Sequence, residues 1–432
     1  MNIDRRALLA GAGLSATAVA APALGQAPAP PSESAGQKKA AAIAGRLNAA
    51  AAENRRRLAF DGRGFSGPGY DFLVEEGRRA HFFLQGEEHG VAENAHLARA
   101  LIQALAPAGY SRLAIEISPP MAEEVDEAVK GGSAGLKRYF DSRDTSVPFY
   151  GLREEAEFLA AARRALPGDE PVFWGLDYDI GADRRLIARL KAKRPPAAAE
   201  AAFAKLEAAS SGAWAEFRKT KNPQFIFSFS GDPQLVRDVR AAWTRPDPEA
   251  ELILETLQTT LEINQLWAGN QPWESNKRRV DFMRANFLRN WRREKGKGRS
   301  PKVFFKFGTS HMVRGLSLVD VFDVGTLAAE SAALAGGHSF HLLVVGGAGG
   351  QHAAFNPAEW AYDPQPAEGI EEHGLEPIAR QAFGEGFTVI DLRPLRPILS
   401  RPPAEVSRYL VKVVHGFDAV VLLTGSTASG GL

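Results

Sequence analysis

Short apolar runs alternate with longer amphipathic stretches along this chain, which predicts a parallel sheet with helical crossovers. The first run, 82–86, is followed over 91–105 by apolar residues at helical spacing. The runs 113–117 and 172–179 repeat the arrangement, and an amphipathic helix is predicted between them over 153–166. Strands joined in this way lie parallel, because the intervening helix returns the chain to the same end of the sheet.

The strand pattern disappears at residue 182 and helical segments dominate to about residue 268. We interpret 182–274 as a helical lobe inserted into an α/β core, with 59–181 as the first part of the core and 275–432 as the second. The lobe either covers a site at the strand ends or only adds stability. Later runs predict two further helices, at 276–293 and near 326–334, and four strands, at 302–307, 341–345, 387–392 and 418–423. The expected fold is α/β, with a central mostly parallel sheet, flanking helices and an inserted helical lobe.

The beginning of the chain has the pattern of an export signal. Arg5 and Arg6 precede a weakly apolar run that ends at Leu24, and small residues follow. We therefore predict a twin-arginine signal peptide over 1–27, export by the twin-arginine translocase, and a periplasmic or secreted protein. Residues 28–58 are expected to form a Pro/Ala-rich leader and an exposed helix. No later run approaches the roughly 20 apolar residues of a membrane helix, so we expect no stable membrane span.

Charge and cysteine content narrow the classes of function. Lys and Arg total 52 against 51 for Asp and Glu, so no net positive field favours nucleic acid, and a small-molecule or peptide partner is expected. The chain contains no cysteine, which excludes disulfides, thiolate nucleophiles and thiolate metal ligands. Any metal would be held by His, Asp or Glu.

Two glycine-containing turns carry the candidate chemistry. The first strand runs into Gly-Glu-Glu-His-Gly at 86–90, and the strand 302–307 runs into Gly-Thr-Ser-His at 308–311. Both histidines are therefore expected at the carboxyl ends of strands, where open α/β sheets bind ligands. Glu116 interrupts the apolar run 113–117, and a carboxylate in a core strand is costly unless it is paired or functional, or reaches solvent at the strand end.

The order of these motifs resembles the erythromycin-esterase superfamily, which shares its fold with the ChaN-type haem-binding proteins and the Tiki/TraB group. The resemblance spans about residue 82 to the end of the chain. It rests on the turn 86–90 with Glu93, on Glu116, on Gly175-Leu176-Asp177, on Arg279, Met283 and Asn286 along one helix, on His311 and on the closing strand 417–421.

Three departures separate the chain from macrolide esterases. Only Glu88 lies between Glu87 and His89, whereas those esterases carry two residues there, and the shorter spacing is similar to that of ChaN-type proteins. Val280 stands where the esterases have Asp, and Arg314 stands where they have a second histidine. These differences concern macrolide specificity more than the fold.

Residue types and resemblance together predict a hydrolase that cleaves an ester or related bond of a bulky small molecule. An imidazole titrates near neutral pH, which suits His89 as the base that activates water. Glu87 or Glu116 would orient it, and Arg279 or His311 would stabilise the oxyanion. The resemblance implies His89 as base with Glu116 as its partner. Substrate-binding roles are assigned to Glu88, Glu93, Asp177 and Asn286.

Two alternatives remain open from the sequence. In a metal-dependent, Tiki-like hydrolase the metal would be held by His89, His311, Glu87 and Glu116, whose donor atoms suit Zn, Mn or Fe. In a ChaN-like protein the chain would bind haem or iron without catalysis. The Gly-x-Ser-x-Gly match at 131–135 does not follow an apolar strand, as an elbow that supplies a serine nucleophile would, so direct attack by water is preferred over an acyl-enzyme.

Overall fold

The apolar strand Phe82–Glu87 lies inside the main sheet in the computed structural model, which describes residues 34–141, 149–168 and 170–432. All of its residues are buried, as expected for a strand covered on both faces of the sheet. It pairs in parallel register with Lys302–Gly308 on one side and Ser339–Gly346 on the other. The twin-arginine segment 1–27 lies outside the described residues.

The main sheet is mostly parallel, with an antiparallel edge. The strands in chain order are β1 (Arg55–Phe60), β2 (Phe65–Ser66), β3 (Phe82–Glu87), β4 (Tyr110–Ile115), β5 (Phe173–Gly175), β6 (Lys302–Gly308), β7 (Ser339–Gly346), β8 (Gln351–Asn356), β9 (Ala361–Pro366), β10 (Phe387–Asp391) and β11 (Ala419–Leu423). The order in the sheet is β2-β1-β10-β11-β7-β3-β6-β4-β5, and β8 pairs with β9 in a separate hairpin. Neighbours from β11 to β5 are parallel, whereas the pairs involving β1, β2 and β10 are antiparallel.

Helices cover both faces of this sheet. They are α1 (Ala35–Asn54), α2 (Pro68–Arg79), α3 (Ala92–Leu105), α4 (Pro119–Ala128), α5 (Gly132–Phe140), α6 (Arg153–Ala165), α7 (Asp183–Ala192), α8 (Glu200–Thr220), α9 (Phe227–Ser230), α10 (Pro233–Ala242), α11 (Pro248–Ala268), α12 (Pro272–Gly296), α13 (Val324–Leu334), α14 (Gly369–Glu372), α15 (Glu376–Ala379) and α16 (Arg408–Gly416). Successive residues of β3 enter different cores, with Phe83 in one and Phe82 in the other, because side chains alternate across a strand. The predicted α/β class is confirmed.

The chain between β5 and β6 is helical. Helices α7 to α11 fall within the range 182–274 predicted for the inserted lobe. Trp214 and Phe217 of α8 are buried in the core that these helices share with the rest of the chain. None of the helices in the described ranges has the length and apolarity that a bilayer crossing requires.

The structure differs from the expected elements at several places. The exposed helix expected within 28–58 is α1, which ends at Asn54, and its residues Ile43, Leu47 and Ala51 are buried. These residues recur every four positions, so they form one apolar face, which packs against α15 and the 3-10 helix Arg393–Leu399. The chain then continues as β1. The strand expected over 172–179 extends only over β5, and the hairpin β8–β9 was not predicted from the sequence.

Candidate active site

Three neighbouring strands bring the candidate residues together at one edge of the sheet. In the sheet β6 lies between β3 and β4, so the residues that follow these strands meet where their carboxyl ends point. The backbone N–H of Gly308, at the end of β6, donates to Oε2 of Glu116 at 2.6 Å. The hydroxyl of Thr309 donates to the carbonyl oxygen of Glu87 at 3.1 Å. The two glycine turns predicted from the sequence are therefore joined directly.

His89 lies between two carboxylates. Its Nδ1 is 3.3 Å from Oε1 of Glu87, and its Nε2 is 3.3 Å from Oε2 of Glu116. The imidazole also stacks on the ring of Phe149, with 4.0 Å between centroids and 13° between planes. The ring is thus fixed on three sides, and both nitrogens face negative charge.

These carboxylates control the protonation of the imidazole. Burial lowers the pKa of His89, but the nearby carboxylates of Glu116 and Glu87 outweigh it, so the pKa lies above the usual 6.5. Burial raises the pKa of Glu87, but the charges of Lys306 and His89 hold it below its ordinary value. Glu87 is therefore the ionised partner of a histidine with high proton affinity.

Arg279 connects the site to the end of β5. Its Nε donates to Oδ1 of Asp177 at 3.0 Å, and its Nη2 donates to Oε1 of Glu116 at 2.7 Å and also to Oδ2 of Asp177. The guanidinium is buried, and although burial lowers its pKa, Asp177 holds the pKa well above its ordinary value. Arg279 therefore lies in the buried cluster and not on the exposed surface of α12.

His311 approaches the same carboxylate from the short 3-10 helix Thr309–Met312 after β6. Its Nδ1 is 2.9 Å from Oδ2 of Asp323, and its Nε2 is 3.6 Å from Oε1 of Glu116. Glu116 thus lies between two imidazoles and a guanidinium, each of which is held by another carboxylate. This arrangement explains why a glutamate is tolerated beside a core strand.

The remaining predicted residues support the loops around this cluster. Glu88 accepts hydrogen bonds from the backbone N–H groups of Gly346 at 2.9 Å and Glu368 at 3.1 Å. Glu93 accepts from the backbone N–H of Thr427 at 2.9 Å and from its hydroxyl at 2.8 Å. Asn286 donates to the carbonyl oxygen of Leu176 at 2.9 Å. Their roles in binding a substrate stay predictions.

Four residues of the cluster were missed from the sequence. They are Lys306, Glu155, Asp323 and Phe149. Lys306 interrupts an apolar strand as Glu116 does, and Asp323 directly precedes a helix, so both left a signal in the sequence. Phe149 and Glu155 left none, because an aromatic residue in a loop and a glutamate in the first turn of a helix are both common.

The metal set proposed from the sequence does not fit this geometry. Within the described ranges, no group of three or more His, Asp or Glu side chains is placed to hold a metal ion. Oε1 of Glu87 accepts from Lys306 at 2.6 Å, and Glu116 accepts from Arg279 and from the backbone of Gly308. These carboxylate oxygens are thus bound to cationic or backbone donors, and Oε2 of Glu87 accepts from the side-chain amide of Gln85 at 3.1 Å.

Comparison with known proteins agrees with the geometry at the level of the fold. No family model and no curated protein matches the sequence. Among solved structures, a mutant of the erythromycin esterase EreC in its open conformation superimposes with a TM-score of 0.58 at 17% identity, over 87% of this chain and 98% of that chain. A Bacillus cereus protein gives a TM-score of 0.56 at 15% identity, over 90% and 99% of the two chains.

A succinoglycan biosynthesis protein is also similar, with a TM-score of 0.54 at 12% identity over 90% of this chain and 99% of that chain. Each of the three similarities covers most of both chains, so the likeness extends to the whole architecture rather than to a shared sheet alone. At these identities the likeness concerns the fold. The chain therefore has an erythromycin-esterase-like fold.

Proposed function

We propose that this protein is a hydrolase that cleaves an ester or related bond of a bulky small molecule with water activated by His89. The observation that carries the proposal is the placement of His89 between Glu87 and Glu116, with Arg279 and His311 on the far side of Glu116. A histidine oriented by a carboxylate is the arrangement that general-base catalysis requires. The esterase-like hydrolase fold supports the same class of reaction.

The reaction begins with water bound beside Nε2 of His89 and oriented by Glu116. His89 accepts a proton as the water oxygen attacks the carbonyl carbon, and the carbonyl oxygen takes the negative charge. Arg279 and His311, on the far side of Glu116, stabilise the charge on that oxygen. The bond to the alcohol oxygen then breaks, and His89 returns its proton to that oxygen. The products are a carboxylic acid and an alcohol, and no acyl-enzyme forms.

The test is ester hydrolysis by the purified protein over a panel from simple aryl esters to macrolactones. We expect turnover that His89→Ala reduces by about 10²- to 10⁴-fold. His96→Ala is the matched control, because His96 lies on α3, where its ring contacts Phe60, and its removal leaves the cluster intact. A folded protein without turnover on any ester contradicts the proposal, and a Soret band on addition of haem would then favour haem binding.

We also propose that the protein is exported by the twin-arginine translocase to the periplasm or beyond. The proposal is supported by Arg5 and Arg6 ahead of an apolar run. Replacing both arginines by lysine in the full-length chain is expected to retain the protein in the cytoplasm on cell fractionation. Unchanged export of that variant contradicts this route.

A further inference from the structure

A lysine lies inside the sheet directly behind the candidate catalytic turn. Lys306 belongs to β6, where Phe304, Phe305 and Phe307 surround it in sequence, and its side chain is only 2% exposed. The register of the parallel pair places it beside Gln85 of β3. Because burying an unpaired ammonium group costs several kcal/mol or more, a lysine at this position requires partners.

Two buried carboxylates are those partners. Nζ of Lys306 lies 2.6 Å from Oε1 of Glu87, and 2.6 Å and 2.8 Å from the two carboxylate oxygens of Glu155 on α6. The ammonium group also lies 5.5 Å from the centre of the Phe158 ring. With all three groups ionised, the cluster carries one net negative charge behind His89.

The contacts form a continuous row from α6 to the base, in the order Glu155, Lys306, Glu87, His89. Lys306 and Glu155 are held behind the strand, and their hydrogen bonds run to each other and to Glu87. They therefore do not contact the imidazole, and they influence it only through the position of Glu87 and through the electrostatic effect of their charges. Burial raises the pKa of Glu155 to about 7, although Lys306 opposes the shift. Glu155 thus changes charge in the pH range in which a histidine base works.

We propose that Lys306 and Glu155 are positioning residues for His89. Lys306 fixes the orientation of Glu87 and keeps it ionised, and the charge of Glu155 sets the pH range over which His89 can accept a proton. This role rests on the proposed function, because a positioning residue needs a base to position. Its effect on the imidazole does not require a substrate, so the two proposals can be tested separately.

Other charged and titratable groups lie on the elements that pack around this row of four residues. Besides Glu87, which belongs to the row, they are Glu88 near the end of β3, Glu116 after β4, Tyr150 before α6, Asp177 after β5, Arg279 of α12, His311 after β6, Asp323 before α13, His352 of β8 and Tyr362 of β9. A substitution of Glu155 leaves all of them in place. The shift that it produces at His89 is therefore attributable to the charge of Glu155.

The decisive variant is Glu155→Gln, which keeps an acceptor for Lys306 and removes one negative charge. We expect the pKa of His89, measured by NMR titration of its imidazole, to fall by about one unit. An unchanged pKa overturns the proposal. Glu154→Gln is the matched control, because Glu154 lies on the same helix and accepts from the backbone N–H of Gly430 at 2.9 Å. This control is expected to leave the pKa of His89 where it is.

Lys306→Met tests the positioning of Glu87. We expect kcat to fall by about 10- to 100-fold with KM unchanged, since Lys306 orients the base through Glu87 and does not contact the substrate. A raised KM with constant kcat overturns this role. If Lys306→Met does not fold, the coupling between Glu155 and His89 can still be tested in the unsubstituted protein. A change in the charge of Glu155 is then expected to add a second inflection to the NMR titration curve of His89. A single inflection contradicts the coupling.

A failure of the proposed function is distinguishable from a failure of this inference. If no ester is hydrolysed but Glu155→Gln shifts the pKa of His89, the row of charges is confirmed and the reaction is another one. If esters are hydrolysed but the pKa does not move, His89 is positioned by Glu87 and Glu116 alone.

Discussion

Asp323 holds His311 from the side opposite Glu116, with 2.9 Å between its Oδ2 and Nδ1 of the imidazole. The other oxygen of Asp323 accepts from the backbone N–H of Val324 at 2.6 Å and so caps α13. One buried side chain thus fixes both a histidine of the cluster and the start of a helix. These two roles can be separated by substitution.

Asp323→Asn is expected to lose activity with little loss of stability. The amide oxygen can still cap α13, but the charge that orients His311 is gone, so we expect kcat to fall by about 10²-fold or more. Asp323→Ala should in addition lose about 1 kcal/mol of the free energy of unfolding, because the cap is lost. Activity assays and urea unfolding of both variants measure the two effects. Full activity of the Asn variant would show that Asp323 only caps the helix.

Gly308→Ala is expected to disturb the meeting point of His89 and Glu116. A Cβ added at Gly308 would lie 2.9 Å from Nε2 of His89 and 3.4 Å from Oε2 of Glu116. The φ of Gly308 is −57°, which any residue adopts, so the backbone itself would not be strained. We expect turnover to fall at least about tenfold while the thermal midpoint changes little. Wild-type turnover in this variant would mean that the gap between these groups is not where water binds.

The activity is expected to rise with pH through a midpoint above 6.5. The pKa of His89 is raised by Glu116 and Glu87 against the effect of burial, and the imidazole can accept a proton only after it has lost its own. The acid limb of kcat/KM should therefore lie above the usual histidine range. Glu87→Gln removes one of the two carboxylates and should move this limb to lower pH. If the acid limb of kcat/KM has the same midpoint in the Glu87→Gln variant, that limb reports the titration of a group other than His89.

Arg279→Met is expected to destabilise the fold by about 3–5 kcal/mol, because it leaves the buried carboxylates of Asp177 and Glu116 without their shared cation. The neighbouring Arg278 serves as the matched control. It is partly exposed and pairs with Glu262 at 2.9 Å, so Arg278→Met should cost at most about 1 kcal/mol. Denaturant unfolding of both variants gives the comparison. Equal costs would mean that the buried pair contributes no more than a surface pair.

Turnover is expected to be unaffected by chelators. The carboxylate oxygens of Glu87 and Glu116 accept from Lys306, Arg279 and the backbone of Gly308, so a metal would have to displace these donors. The measurement is the rate of ester hydrolysis after prolonged treatment with EDTA, followed by addition of Zn²⁺ or Mn²⁺. A rate that falls with the chelator and returns with one of the metals would restore the metal-dependent alternative.

The sequence predicted the parallel part of the fold because its signals are local. The strands β3 and β6 are mostly apolar runs that end in glycine turns, and their histidines follow within a few residues. The antiparallel edge was harder to predict. Strand β1 contains three arginines, and its pairing with β10 comes from the far end of the chain, so no local pattern marks it as a strand.

The same distinction applies to the site. His89 and His311 were found because they follow the ends of apolar runs, and Glu116 was found because it interrupts one. Glu155 was missed because its partner Lys306 is remote in sequence, and only tertiary structure brings an ammonium group to it. Its position in the first turn of α6 is where a glutamate would be expected for helix capping alone.

The pairing of β3 also determines when the site can form during synthesis. Both neighbours of this strand, β6 and β7, come from the second half of the chain. The nascent segment that carries His89 therefore leaves the ribosome with both edges unpaired, and its lasting partners are made only after the whole helical stretch between β5 and β6. Sheet formation of this kind is slow and exposes apolar edges. A ribosome-bound chain that lacks β7 is thus expected to have one edge of β3 unpaired and the cluster around His89 incomplete.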